Sequence, residues 1–138
     1  MLVVDEYLAV RVLAGNWPAD LPDDEIALPA ARHWRLLQRV HAPGTGQLSQ
    51  LLATLPAEDL DVVRHPHPEV LQILDPRPLL DEAAAIAARY GAGGLLIAET
   101  LAAGLAHGRQ LSFGTDRNVG SVIQRIADDL GIVVHIVS

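Results

Sequence analysis

The chain opens on a continuous apolar run, Leu2-Val3-Val4, closed by Asp5, the pattern of a short buried strand. From Glu6 to Ala14 the period changes. Tyr7, Val10 and Leu13/Ala14 recur at helical spacing, and Gly15-Asn16 ends the helix. Trp17 to Glu25 is rich in Pro and Asp and reads as a loop. Helical spacing returns from Leu28 to His41 through Ala31, Trp34, Leu37 and Val40, with Pro29 suited to a first turn. Ala42-Pro43-Gly44-Thr45-Gly46 is a firm break before a short helix over Gln47 to Thr54. Asp61-Val62-Val63-Arg64 has the composition of a strand. His65-Pro66-His67-Pro68 turns into a short helix over Glu69 to Leu74, and Asp75-Pro76-Arg77-Pro78 breaks the chain again.

The second half is more regular. Leu79 to Tyr90 is an Ala-rich helix ended by Gly91, and the Gly93-Gly94 pair loosens the connection that follows. Leu95 to Ala106 is a second helix, closed by Gly108. Gln110 to Phe113 is a strand, followed by the turn Gly114-Thr115-Asp116-Arg117-Asn118. Val119 to Leu130 is amphipathic, with Val122, Ile123, Ile126 and Leu130 on one face and Gly131 as its C-terminal cap. Ile132 to Val137 is almost purely β-branched, the pattern of a parallel strand buried on both faces. The order predicts an α/β chain with about four strands, mostly parallel, in one domain spanning residues 1–138.

Composition narrows the function classes. With 138 residues, half of them hydrophobic, the chain can bury a sizeable core. It has no cysteine, which excludes disulfides and thiolate metal sites. No apolar stretch reaches the ~18 residues of a membrane span, and no basic region precedes the first apolar run, so a soluble, cytoplasmic protein is expected. Net charge is −7, which argues against a general electrostatic grip on nucleic acid, although a local Arg patch or a metal could invert the local field.

The candidate chemistry lies at two strand ends. Asp5 closes the first strand and Asp116 lies in the turn after the Gln110–Phe113 strand, where ligands of open α/β sheets gather. Each has a plainer reading: Asp5 as a helix N-cap, Asp116 as a turn residue. His65 and His67 supply only two metal donors, in an irregular Pro-rich turn. Gly91, Gly93 and Gly94 lack the Gly-Lys-Ser/Thr of a phosphate loop.

In the order of these pieces the chain resembles the PIN domain family, especially the compact toxins of VapC type. The likeness is carried by Leu2-Val3-Val4-Asp5 followed directly by a helix and by the helix ending Ala88-Arg89-Tyr90-Gly91. The next helix, closed by Gly108, the turn acid Asp116 and the final Gly131-Ile132-Val133-Val134-His135-Ile136 complete it. The resemblance implies a PIN-like three-layer α/β/α fold. It implies a cluster of acids at the strand ends that holds Mg²⁺ or Mn²⁺, activates water and cuts RNA. By resemblance Asp5 takes the first acid position and Asp116 the last. An RNA substrate, an antitoxin protein partner and a homodimer come with the same resemblance.

The middle positions depart from the family pattern. Arg35 or Gln50 stands where the second acid belongs, and Ile97 or Leu96 where the third does. Glu99 is the nearest carboxylate and the candidate replacement ligand; its plainer reading is a polar-face residue with an Arg partner. Glu6 is a further carboxylate, expected to diverge from its neighbour Asp5. Arg35 is either a solvated helix residue or a fixed cation paired with Asp5 or Asp116 in place of a metal. Two functions therefore stand open: a metal-dependent endoribonuclease, and a non-catalytic PIN-like module that binds protein or RNA.

Overall fold

Five short apolar segments, spaced along the chain and each followed by helix or turn, assemble side by side into the central layer. A computed structural model describes residues 1–92 and 94–138; the expectation placed on Gly93 lies outside the described residues. The elements are β1 (Leu2–Val4), α1 (Glu6–Leu13), β2 (Ile26–Pro29), α2 (Ala30–His41), α3 (Gln47–Ala53), α4 (Ala57–Arg64), β3 (Gln72–Leu74), a 3-10 turn (Arg77–Leu79), α5 (Leu80–Tyr90), α6 (Leu95–Ala106), β4 (Gln110–Phe113), α7 (Asp116–Leu130) and β5 (Val133–Ile136). The strand order is β3-β2-β1-β4-β5 and every pairing is parallel.

Period-2 alternation in the strands builds two cores. Val3 and Ala27 face one side, where they meet Ala83 and Ile86 of α5, Leu101 of α6 and Ile126 of α7. Leu2, Val4, Ile26 and Leu28 face the other, against Leu8 of α1, Leu36 of α2, Leu52 of α3 and Val63 of α4. The result is a three-layer α/β/α architecture. No described helix is long and apolar enough to cross a membrane.

Several elements differ from their sequence expectation. The sheet has five parallel strands, not about four. Leu28 and Pro29, expected to begin the helix, instead belong with Ile26 and Ala27 to β2, whose four residues are all buried. Pro29 closes the strand, where a missing N–H costs little, and hands over to α2. Asp61–Arg64 is the last turn of α4. Glu58 and Asp59 in its first turn and Arg64 in its last suit the helix dipole. Glu69–Leu74 contains β3, whose three residues are too few to show a period.

Helix α2 is rotated from the face its spacing implied. Ala31 and Val40 are nine residues apart, about two and a half turns, so they lie on opposite sides. The inward residues are Arg32 and Leu36, while Trp34 is 61% exposed. Helix α7 starts at Asp116, three residues earlier than expected, and is interrupted at Gly120 (φ 71°, ψ 164°), a conformation open essentially to Gly. Strand β5 is an edge strand, not one buried on both faces: Val133 and Ile136 are half-exposed.

The topology itself marks a location. From β1 the chain steps to β2 and β3 on one side, then returns to lay β4 and β5 on the other. The switch lies between β1 and β4, and open parallel sheets place their ligand crevice outside the carboxyl ends of strands at such a point.

Candidate functional site

Asp5 stands at that switch. Its backbone N–H donates to Ser112 O at 3.0 Å, tying the end of β1 to β4. Its side chain caps α1: Oδ1 accepts from Leu8 N at 3.0 Å. The same Oδ1 accepts from Gly114 N at 3.0 Å, and Oδ2 accepts from Asn118 Nδ2 at 2.9 Å. The carboxylate is buried. Burial pushes its pKa up to about 6; the Asn118 donor opposes the rise and the Glu6 charge adds to it. Gly114 permits this closeness, because a Cβ there would meet Tyr7 Cβ at 2.8 Å and Leu8 N at 3.3 Å.

Glu6 does not diverge from Asp5. Asn118 Nδ2 donates to both carboxylates and bridges them. Glu6 is fully buried and meets a buried arginine: Arg32 Nη1 donates to Oε1 at 3.1 Å and Oε2 at 3.3 Å. Arg35 Nη1 lies 3.5 Å from Glu6 Oε1 and donates to Asn118 Oδ1 at 2.9 Å. The Arg32 guanidinium is held from its other sides as well. Its Nε donates to Thr100 Oγ1 at 2.7 Å, and its plane lies over the Phe113 ring, 5.2 Å from the centroid. Thr100 in turn donates to Leu96 O at 2.7 Å.

The three residues singled out as ligands are not brought together. Asp5 is at the centre of the network. Glu99 is buried on α6, and its Oε1 accepts from Ala31 N at 3.0 Å. It therefore caps the start of α2, where Pro29 offers no side-chain acceptor. Asp116 is exposed at the first position of α7 and, among the described residues, has no hydrogen-bonded side-chain partner. The residue of that turn that reaches the site is Asn118, two positions on. Arg35 joins the cluster as a fixed cation, through Glu6 and Asn118 and not through Asp5 or Asp116.

Sequence reasoning passed over Arg32, Thr100, Gly114 and Asn118. A signal for Arg32 existed: it stands four residues before Leu36, on the stripe that α2 buries. Asn118 offered none, because its reach depends on how α7 begins.

The donor chemistry does not fit a hard divalent cation. Such an ion needs several oxygens with free lone pairs. Of roughly four acceptor positions on a carboxylate, Asp5 has three contacts and Glu6 four, all with N–H donors. Among the described residues no three acidic or histidine side chains stand together as a metal-holding group. Of the buried side-chain nitrogens and oxygens described, Arg64 Nε on α4 is the one without a partner. Two guanidiniums face Glu6, and the Asn118 amide links Glu6 to Asp5.

Comparison with protein-family models, with curated proteins and with solved structures finds no match to this chain.

Proposed function

We propose that this protein is a non-catalytic PIN-like module that binds a ligand at the carboxyl end of its sheet and does no covalent chemistry there. The observation that carries the reading is the buried Arg32–Glu6 pair, at 3.1 and 3.3 Å. A guanidinium is a fixed positive charge with donors in a rigid fork. Placed against Glu6, and with Asn118 on Asp5, it supplies the neutralisation that a metal would otherwise provide. It cannot activate water as a metal does, because it does not act as a Lewis acid.

The strand order and the location of Asp5 at the switch point support the PIN-like resemblance. The substitution of Arg for acid in α2 supports loss of cleavage. The test is incubation of the purified chain with structured and single-stranded RNA in Mg²⁺ and in Mn²⁺. The expected outcome is no cleavage above buffer. Metal-dependent cleavage that vanishes in Asp5→Asn would overturn the reading and restore the endoribonuclease.

A further inference from the structure

Beside the closed cluster lies a cavity of about 290 Å³, between α1, α2 and the loop into α3. It is lined by Tyr7, Arg35, Arg39, Thr45 and Ser49, with the Gly44–Gly46 backbone and the adjoining start of α3. The volume is at the lower limit of the roughly 300–1,000 Å³ of small-molecule sites. Tyr7 follows Asp5 and Glu6 directly, so the cavity opens on the carboxyl side of the sheet.

The charge of this cavity runs against that of the chain. The protein carries 17 acids against 10 basic residues, yet the lining holds two arginines and no carboxylate. Both arginines have donors to spare. Arg35 spends only Nη1, on Glu6 and Asn118, and among the described residues its Nε and Nη2 have no partner. Arg39 makes no side-chain hydrogen bond or ion pair among the described residues. Its Nη1 lies 3.3 Å from where a Gly44 Cβ would stand, so the glycine leaves room for it. Ser49 Oγ accepts from Gly44 N at 2.9 Å, which fixes the loop and leaves its hydroxyl proton free to donate.

Two guanidinium forks and three hydroxyl-bearing side chains around a small polar volume match a tetrahedral dianion better than a planar carboxylate. We infer that the Arg35–Arg39 cavity binds the phosphate group of a small phosphomonoester or free phosphate. This rests on the binding-module reading and names its ligand class. A phosphodiester chain is disfavoured, because its further phosphates would lie outside the arginine-lined cavity, on a protein whose net charge is −7.

The test is calorimetric titration of the full chain in metal-free buffer with inorganic phosphate, with a nucleoside 5′-monophosphate, and with a single-stranded oligoribonucleotide lacking terminal phosphate. One-to-one binding of phosphate or monophosphate is expected. Arg39→Ala, an exposed position, should weaken it on the order of tenfold or more, as for loss of a charged donor. Arg125→Ala on α7, outside the cavity, should leave it unchanged. Tighter binding of the monophosphate marks a phosphorylated metabolite; equal binding marks free phosphate; either supports the site. No binding of either, binding indifferent to Arg39→Ala, or preference for the unphosphorylated RNA would overturn it. RNA cleavage and phosphate binding are separate readouts, so failure of the module reading is distinguishable from failure of this inference.

Discussion

The two ends of the sheet use the same residue types to opposite effect. At the carboxyl end, Asp5 and Glu6 are buried and bridged by Asn118, and Arg32 pairs with Glu6. At the amino end of β2 and β3, Asp23, Asp24, Glu25 and Glu69 line an open cleft of about 880 Å³ beside Trp17. Their surroundings are water. Asp24 carries the Met1 ammonium at 3.1 Å, and that hydrogen bond holds its carboxyl below the usual range. Burial decides where a charge becomes costly. In water a carboxylate is indifferent to losing its partner; away from water it is not.

Removing one partner from each end should therefore have unequal effects. Arg32→Ala removes the buried cation from Glu6 and leaves it only Asn118 and the more exposed Arg35; the expected cost is about 3 kcal/mol in urea denaturation at neutral pH, the lower end for breaking a buried pair. Replacing both members, as Arg32→Met with Glu6→Leu, should recover most of that loss, because an apolar pair leaves no uncompensated charge. Failure of the double variant to recover would mean that Arg32 acts mainly through Thr100 and Phe113.

A smaller effect sharpens the contrast through pH. The Asp5 carboxyl is raised from 3.8 to about 6 in the folded protein. Between those values the folded state holds a proton that the unfolded state has released. The stability contribution of this group is therefore fully present below about pH 4 and lost as pH rises through 6. Between pH 5 and 7 the loss is about 1 kcal/mol. Asp5→Asn should flatten this part of the pH profile; an unchanged slope would assign it to other groups. The smallest effect belongs to the amino end. Asp24→Asn should leave the urea midpoint unmoved at about 0.15 M salt, where exposed pairs are screened.

The legible parts of the fold were the elements long enough to display a period or bounded by clear stops. Helices α5 and α6 run eleven and twelve residues, and β1 and β4 stand out as apolar runs. Strands β2 and β3 are as short as β4 and β1 but lack their boundaries: β2 runs through Pro29 straight into α2, and β3 opens on an exposed Gln72, so their partners on the sheet define them. In α2 the apolar spacing of three drifted around the helix and hid the stripe on which Arg32 lies.

The site was half legible for related reasons. Asp5 was marked by its place at a strand end, and Arg35 was one of two residues, with Gln50, that stood where the resemblance called for an acid. Glu99 was read as a replacement ligand or a polar-face residue with an Arg partner; its partner is the Ala31 N–H, 68 residues away, which could not be read locally. Glu6 looked as if it should turn away from Asp5. Asn118, reaching back from the first turn of α7, gathers both.

At the switch point arginine, not metal, neutralises Glu6, and Asn118 ties Asp5 to it. Calorimetric titration of the wild-type chain with Mn²⁺ tests it most directly. No site tighter than millimolar is expected, and no difference between wild type and Asp5→Asn. A one-to-one micromolar site that disappears in Asp5→Asn would contradict it.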